Sequence, residues 1–462
     1  MKIRRGSLIE PARAEEILAK ALRLLSEIGI ALPEEALQEQ AKKAGLTVPA
    51  NGRVTLSSSQ VLEYLKTLRT ENDLKPSDRL SGKIGIYASR LAGEGTETDF
   101  FTRQTLIRQT QICQAVADRY GIEANAPGYA HDVPGELESL HKYWVSCLWC
   151  GHGDPEPSSA LSADYLFPMA DVMGTPLRRL PAFPPSPLTL AGSSVHSIVK
   201  HARQLESAYV YAMSLMGIST PMSVTDGFAV NLAETMGCAY LLHVITGLRV
   251  DIRPNLLPFD LRTMGLSFGS PEKFLLEQMA ADLYAQILDE EVSYRSTNVH
   301  TLAKRCGAQS CFERGSLMTA GCLYGARRFY CIGSLALDEV FSPLQLIVDL
   351  EMMHQLEKMI GGLEEPQEEE ETDFVSYIRE NLHGGFVNTD KTLDFYSMIG
   401  AGGIFDRSSF AQWQETGCRD ALDAAQDLLS GFEKQTAEKR VSPQQEQELA
   451  KIYEAAEKQL TK

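Results

Sequence analysis

The sequence is short of positive charge, of long apolar runs and of nucleotide-binding glycine motifs, and each shortage removes a class of function. Forty-four lysines and arginines stand against 61 aspartates and glutamates, a net charge of -17. Such a chain repels a phosphate backbone, so nucleic acid is not an expected partner. Apolar runs are interrupted well before the roughly 20 residues that cross a bilayer. The opening MKIRRGSLIEPARAEE carries arginines but no apolar stretch of signal-peptide length. These absences predict a cytoplasmic protein with no membrane partner. Neither GxGxxG nor GxxxxGK[ST] follows a β-like stretch, which weighs against a bound nucleotide. Nine cysteines, an odd number in a long chain, read as buried thiols of a reducing compartment rather than as a disulfide framework.

What is present is an ordinary globular composition, 44% hydrophobic and 23% charged. At 462 residues the chain exceeds the roughly 250–300 at which a single core stops growing, so one large domain with additions is expected. Residues 11–46 show helical spacing with a glycine break before Ala31, which predicts two helices. VTLSSSQVLEYLKTLR adds a short strand and a third helix, and KIGIYASRLAGEGTETDFF a small β-rich patch. Residues 1–124 thus read as an N-terminal helical and β addition. From 125 to 360 short β-branched or aromatic runs (APGYAH, VSCLWCG, LPAFPPSPLTL, AYVYAMSLMGI, VDIRPNLLPF, VSYRSTNVH, RFYCIGSL) alternate with helical patterns. Seven visible βα units predict an α/β fold, a closed (β/α)8 TIM barrel, although a doubly wound open sheet has the same alternation. Residues 361–462 would complete the barrel and add a helical tail, after the acidic run LEEPQEEEE, which reads as a solvated loop.

In such barrels the reacting groups project from the C-terminal strand ends. The polar residues expected there are Tyr129, His131, Asp132, His152, Asp154, Ser186, Thr220, Asp260, Arg262, Asn298, His300 and Ser334. Several have plainer readings. Asp132 would cap the next helix with His131 packed beside it, and Asp260 and Arg262 would pair with neighbouring loop groups. Asn298, His300, Lys304 and Arg305 share one strand exit. In CLWCGHG the residues Cys147, Cys150 and His152 superficially resemble zinc ligands, but on a strand the two cysteines point to opposite faces, so no metal is expected. Phe259, Tyr129, Tyr294 and Trp149 are candidates for a wall of ring faces that accepts a cation, or for plain core.

Several strings, in order, resemble the trimethylamine methyltransferase (MttB-like) family. LLSEIGIALPEEALQEQAKKAGL is similar to its opening helix pair, and STPMSVTDGFAVNLAETMGCAYLL to its APVTLAG segment and following helix. FDLRTMGLSFGSPEKF resembles its DMRTG and GSPE strings, and FDRSSFAQWQETG its C-terminal element. The chain departs from the family at TPMSVTDG, which brings Asp226 toward a strand end, and at AKRCGAQSCFER. Asn388, Asp390 and Tyr396 also replace commoner residues.

The resemblance implies a barrel methyltransferase that passes a methyl group from a methylamine to the cobalt of a corrinoid (cobalamin) on a separate protein. No cofactor would be tightly bound, and a homo-oligomer is expected. The founding members carry pyrrolysine; a chain of standard residues resembles the non-pyrrolysine branch, which acts on glycine betaine and related quaternary amines. On that reading Asp226, Asp260 and Asp132 are candidates to face the cation, and Arg262, His131 and His300 to hold a substrate carboxylate. A zinc-dependent methyltransferase barrel, a non-catalytic quaternary-amine sensor and a hydrolase on the same fold remain as alternatives.

Overall fold

The computed structural model describes residues 7–69, 79–85, 87–93, 95–157, 159–290, 296–362, 373–399 and 403–461. Tyr294 and the acidic run 363–372 lie outside the described residues.

The N-terminal helices form as their spacing dictates. Pro11–Glu27 buries Ala14, Ile17, Ala21 and Leu25, one face at three- and four-residue steps. Ser58–Leu68 is opened by a capping box between Ser57 and Gln60. Both pack on Val224–Thr246, which is buried nearly all round. That helix is long and apolar enough to cross a membrane, yet 72% of its most apolar window is inside the fold, as in a core helix.

The fold is mixed α/β with about 53% helix. Three strands, Arg179–Ala182, Ser207–Val210 and Arg249–Ile252, pair in parallel with Leu180, Ala208 and Val250 in register. A second parallel set joins Ser296–Asn298, Arg328–Ile332 and Ser81–Ile84. Isolated parallel bridges Lys83–Glu123 and Ala88–Gly128 extend that set. Ser81–Ile84, from the stretch read as an N-terminal addition, therefore belongs to the same sheet as Arg328–Ile332. Burial alternates along the strands, as the pleat requires. Leu180, Ala182, Ala208, Val210, Val250 and Ile252 face one apolar core, and Ile84, Phe329 and Ile332 face another. Gly82 packs tightly here, since a Cβ would lie 2.2 Å from Ile332 Cδ1 and the isoleucine would have to turn aside.

One expectation is met in part and another is corrected. Among the described residues no closed sheet is found. The run VSCLWCG is not a strand: residues 145–150 end the helix Glu138–Cys150, which is almost wholly buried, and Gly151 caps it. A run apolar on every side has no readable period, so buried helix and buried strand look alike in sequence. APGYAH likewise contributes only the bridge at Gly128.

Candidate functional site

The helix Glu138–Cys150 carries one lysine, Lys142, whose side chain is only 6% exposed. A buried ammonium needs partners. Its Nζ lies 3.3 Å from Glu156 Oε2, in the Gly- and Pro-bounded loop that follows the helix. Tyr87 donates its hydroxyl to Glu156 Oε1 at 2.6 Å and Tyr129 donates to Oε2 at 3.2 Å. The two rings stack with centroids 6.2 Å apart, and Lys142 Nζ sits 4.6 Å from the Tyr87 centroid and 5.0 Å from that of Tyr129. Burial, and then the Glu156 charge, push both phenols far above their ordinary range. They are therefore neutral donors that fix the carboxylate between them. Tyr87 is nonetheless 48% exposed, so the cluster opens to solvent on that side.

A second charged group continues from it. Lys83 Nζ binds Asp154 Oδ1 at 2.5 Å, and Asn125 donates to Asp154 Oδ2 at 3.0 Å. Burial pushes the thiol of Cys331, in the strand Arg328–Ile332, up to about 12, so it stays protonated. The end of this strand and the loop after it are held in unusual backbone geometry, with Cys331 in the strand and Ala336 and Leu337 in the loop at φ 63, 51 and 69. Fully buried Arg314 pins it. Its guanidinium pairs with Asp349 and donates to the Ser334 and Cys331 carbonyls at 3.1 and 3.0 Å.

A separate, apolar cavity of about 520 Å³ lies among the hairpin Phe259–Asp260/Gly265–Leu266, the start of Val224–Thr246 and the helix Pro271–Leu288. Met216, Met222, Met279, Leu261 and Leu275 line it, with Phe259, Asp260 and Arg262 on its hairpin side.

The residues named from sequence therefore separate. Tyr129 joins the Glu156 cluster, and Asp154 is next to it. His131 is exposed and stacks on Phe100 at 4.6 Å. Asp132 accepts from the Arg103 backbone N–H at 2.8 Å, so it caps the preceding helix Arg103–Tyr120 rather than the one that follows. His152 is tied through Nδ1 to the Cys150 carbonyl at 3.0 Å. Asp226 is in the first turn of Val224–Thr246, not at a strand end, and pairs with Lys20 at 2.8 Å. Phe259, Asp260 and Arg262 line the apolar cavity, and Arg262 returns to Asp260 at 2.9 Å. Asn298 offers its backbone carbonyl to Lys273 Nζ at 2.8 Å. His300 is buried against Phe268 with Nδ1 unpartnered, and burial holds its ring neutral. Cys147 and Cys150 are three apart on one helix, not on opposite faces of a strand. Burial keeps both thiols protonated, with Cys147 pushed up to about 12. Among the described residues no three His, Cys, Asp or Glu side chains gather as metal ligands.

Lys142, Glu156 and Tyr87 were missed. One signal was available for the first: a lone lysine within SLHKYWVSCLWC must be paired if the run is buried. Glu156 is two residues beyond the named Asp154. Nothing local marks Tyr87.

A family model described as trimethylamine methyltransferase (MTTB) matches residues 184–460. The apolar cavity falls within that stretch and the Lys142–Glu156 cluster before it. Trimethylamine methyltransferase MttB1 of Methanosarcina acetivorans is 26% identical over 247 residues, 53% of this chain and 49% of that one. MttB of Methanosarcina thermophila is 23% identical over 346 residues, 74% and 67% of the two chains. MttB of Desulfitobacterium hafniense is 24% identical over 269 residues, 57% and 53%. The chain spans about half the length of most of the curated relatives it matches. The crystal structure of the Methanosarcina barkeri monomethylamine methyltransferase (MtmB) overlays with a TM-score of 0.42 at 12% identity, covering 99% of this chain and 95% of that one. The hydroxylamine MtmB complex gives 0.44 over the same shares. With the family model matching more than half of its length, the chain belongs to the trimethylamine methyltransferase family.

Proposed function

We propose that this chain takes a methyl group from a quaternary, betaine-like amine and delivers it to a corrinoid carried by a partner protein, from a site at the mouth of a (β/α)8 barrel. One observation carries the reading: the protein's own Lys142 ammonium sits over the faces of Tyr87 and Tyr129 beside the Glu156 carboxylate. Ring faces and a carboxylate are what a quaternary ammonium seeks, since it has no N–H to donate. Loss of a methyl from such a cation leaves a neutral tertiary amine, so the site needs no acid for the leaving group. The chain's part is to hold one methyl outward, and Tyr87, half-exposed, is on the open side. A reduced corrinoid supplies the nucleophile. All residues are standard ones, with no pyrrolysine to bind the amine covalently, which favours a cation held by its surroundings. Nine free cysteines agree with the reducing cytoplasm as the site of action.

Titration calorimetry with tetramethylammonium, glycine betaine and trimethylamine, followed by addition of cob(I)alamin or a Co(I) corrinoid protein, tests the reading. Binding of the quaternary amines and a corrinoid absorbance change that requires protein and amine together are expected. Binding without methyl transfer to either acceptor would leave a sensor, and about one zinc per chain by elemental analysis, required for activity, would favour the zinc-dependent alternative.

A further inference from the structure

Of the residues expected to hold a substrate carboxylate, Arg262 is closed on Asp260, His300 is buried with its ring neutral, and His131 is stacked on Phe100 in the open. The strand Arg249–Ile252 offers another. Its Asp251 takes both Arg179, at 2.5 Å, and Arg249, at 2.9 Å. Arg253 comes next on the same strand, is exposed, and pairs with no carboxylate among the described residues. In a chain of net charge -17, three arginines thus stand around one aspartate. The Arg253 guanidinium lies instead over the ring of Tyr209, 4.2 Å from its centroid. A guanidinium stacked by its face keeps its N–H groups pointing outward in its own plane, the geometry that grips a carboxylate with two parallel hydrogen bonds.

Register sets rings beside it. Ala182, Val210 and Ile252 are partners in the parallel set. The ladder runs one step further, because the Tyr211 N–H donates to the Ala182 carbonyl at 2.9 Å and the Arg253 N–H to that of Val210 at 3.1 Å. Ala182, Val210 and Ile252 face the apolar core. Phe183, Tyr211 and Arg253 therefore emerge in a row on the other face, past the C-terminal ends of three neighbouring strands about 4.8 Å apart. Phe183, 46% exposed, meets Tyr211 edge to face with centroids 6.2 Å apart. Burial, and then the Glu277 charge, push the Tyr211 phenol far above its ordinary range, so it is a neutral donor. Tyr87 likewise lies past the C-terminal end of a parallel strand, Ser81–Ile84. The helix Pro271–Leu288 ties the two parallel sets together at these ends: Lys273 donates to the Asn298 carbonyl at 2.8 Å, and Thr297 to Glu277 at 2.9 Å.

We infer that Arg253 is the residue that selects a quaternary amine bearing a carboxylate, gripping that carboxylate with its free N–H groups beside the Tyr211 hydroxyl and the Phe183 ring. The inference rests on the quaternary-amine reading, for which it names the group that recognises the other end of the substrate.

Titration calorimetry on the full chain is the test, with tetramethylammonium and choline, which have no carboxylate, against glycine betaine and its homologues with longer methylene chains. Wild type should bind at least one of the carboxylates more tightly than choline. Arg253→Gln should weaken that compound by about tenfold or more, the scale of a charge-assisted contact, and leave choline within about twofold. Arg253→Lys should recover only part of the loss, since it restores the charge without the planar fork. If Arg253→Gln binds the carboxylate as wild type does, or if wild type binds choline as tightly as every carboxylate, the inference falls while the quaternary-amine reading stands. A variant that loses choline as well overturns it by making Arg253 a structural residue, and phosphocholine bound in preference to every carboxylate overturns it by giving the arginine to a phosphate. A wild type that binds none of the series overturns the quaternary-amine reading and the inference with it.

Discussion

Glu156 with Lys142 and Asp260 with Arg262 use similar chemistry, a carboxylate beside a cation, in opposite ways. In the first pair the cation is 6% exposed, and its carboxylate is held by hydroxyls from residues 27 and 69 positions away. In the second the guanidinium is 90% exposed and closes on a carboxylate two residues back. A long-range, desolvated pair has a geometry that only the fold can impose, and Coulomb interactions there are strong. A local, hydrated pair forms wherever the turn forms and is worth little. The proposed cation site therefore rests on the Glu156 cluster, whose geometry the fold imposes, rather than on the local Asp260–Arg262 pair.

The largest effect that separates the two regions should come from Arg314. Arg314→Met leaves Asp349 charged and unpaired in a fully buried place and frees the Cys331–Leu337 loop that borders the Tyr87 side. Stability should fall by about 3–5 kcal/mol in denaturant unfolding. Affinity for a quaternary amine should fall with it in whatever fraction remains folded, while the methionine-lined cavity keeps its shape.

A titration comes next. Glu234 is buried in Val224–Thr246, accepts from Ser186 at 2.7 Å and Ser214 at 2.9 Å, and is pushed up to about 7 chiefly by desolvation. The folded state then binds a proton that the unfolded chain, with an ordinary glutamate near 4.5, releases. Stability should accordingly decline as pH rises from about 4.5 to about 7, by on the order of 3 kcal/mol, and stay low above that. Glu234→Gln should flatten this slope and raise the melting temperature at pH 8 relative to wild type. An unchanged pH profile would show that Glu234 stays ionised.

Glu156→Gln should cost about 2 kcal/mol in quaternary-amine affinity, the scale of a charge-assisted contact, because the amide keeps a hydrogen-bonding oxygen but loses the charge. Tyr129→Phe should cost less than Tyr129→Leu, since the ring face is retained in one and lost in the other. Equal losses in calorimetry would mean that the hydroxyl, not the face, is what the ligand uses.

Much of the scaffold could be read from the residues, because Leu180, Ala182, Ala208, Val210, Val250 and Ile252 alternate with polar neighbours and so report a strand with one buried face. The apolar face of Pro11–Glu27 was equally plain. Glu138–Cys150 was not, since with nearly every side buried its helical period is invisible. That single ambiguity hid Lys142 and, with it, most of the candidate site. Tyr129 was found because the glycines and prolines around it mark a chain leaving the sheet. Tyr87, Lys142 and Glu156 meet it only through tertiary packing, and no spacing in sequence encodes a contact across 69 positions.

The smallest expected effect is at Asp260 and Arg262, and it sharpens the comparison most. Arg262 donates through Nε and its backbone N–H to Asp260 Oδ1, both at 2.9 Å, and through Nη2 to Oδ2 at 3.1 Å. Hydrogen bonding to Arg262 holds the Asp260 carboxyl below its ordinary range, so the pair is ionised near neutral pH. Lysine retains the charge but not the planar fork, so Arg262→Lys removes the two-pronged contact while the backbone N–H still binds Asp260. In so exposed a pair the change in stability should be under about 0.5 kcal/mol. Affinities for glycine betaine and for choline should both remain near wild type, because the fork is already filled by Asp260. If Arg262→Lys instead weakened glycine betaine alone by tenfold or more, the guanidinium would be gripping a substrate carboxylate, and the site would have to be moved from the tyrosine cluster to the methionine-lined cavity.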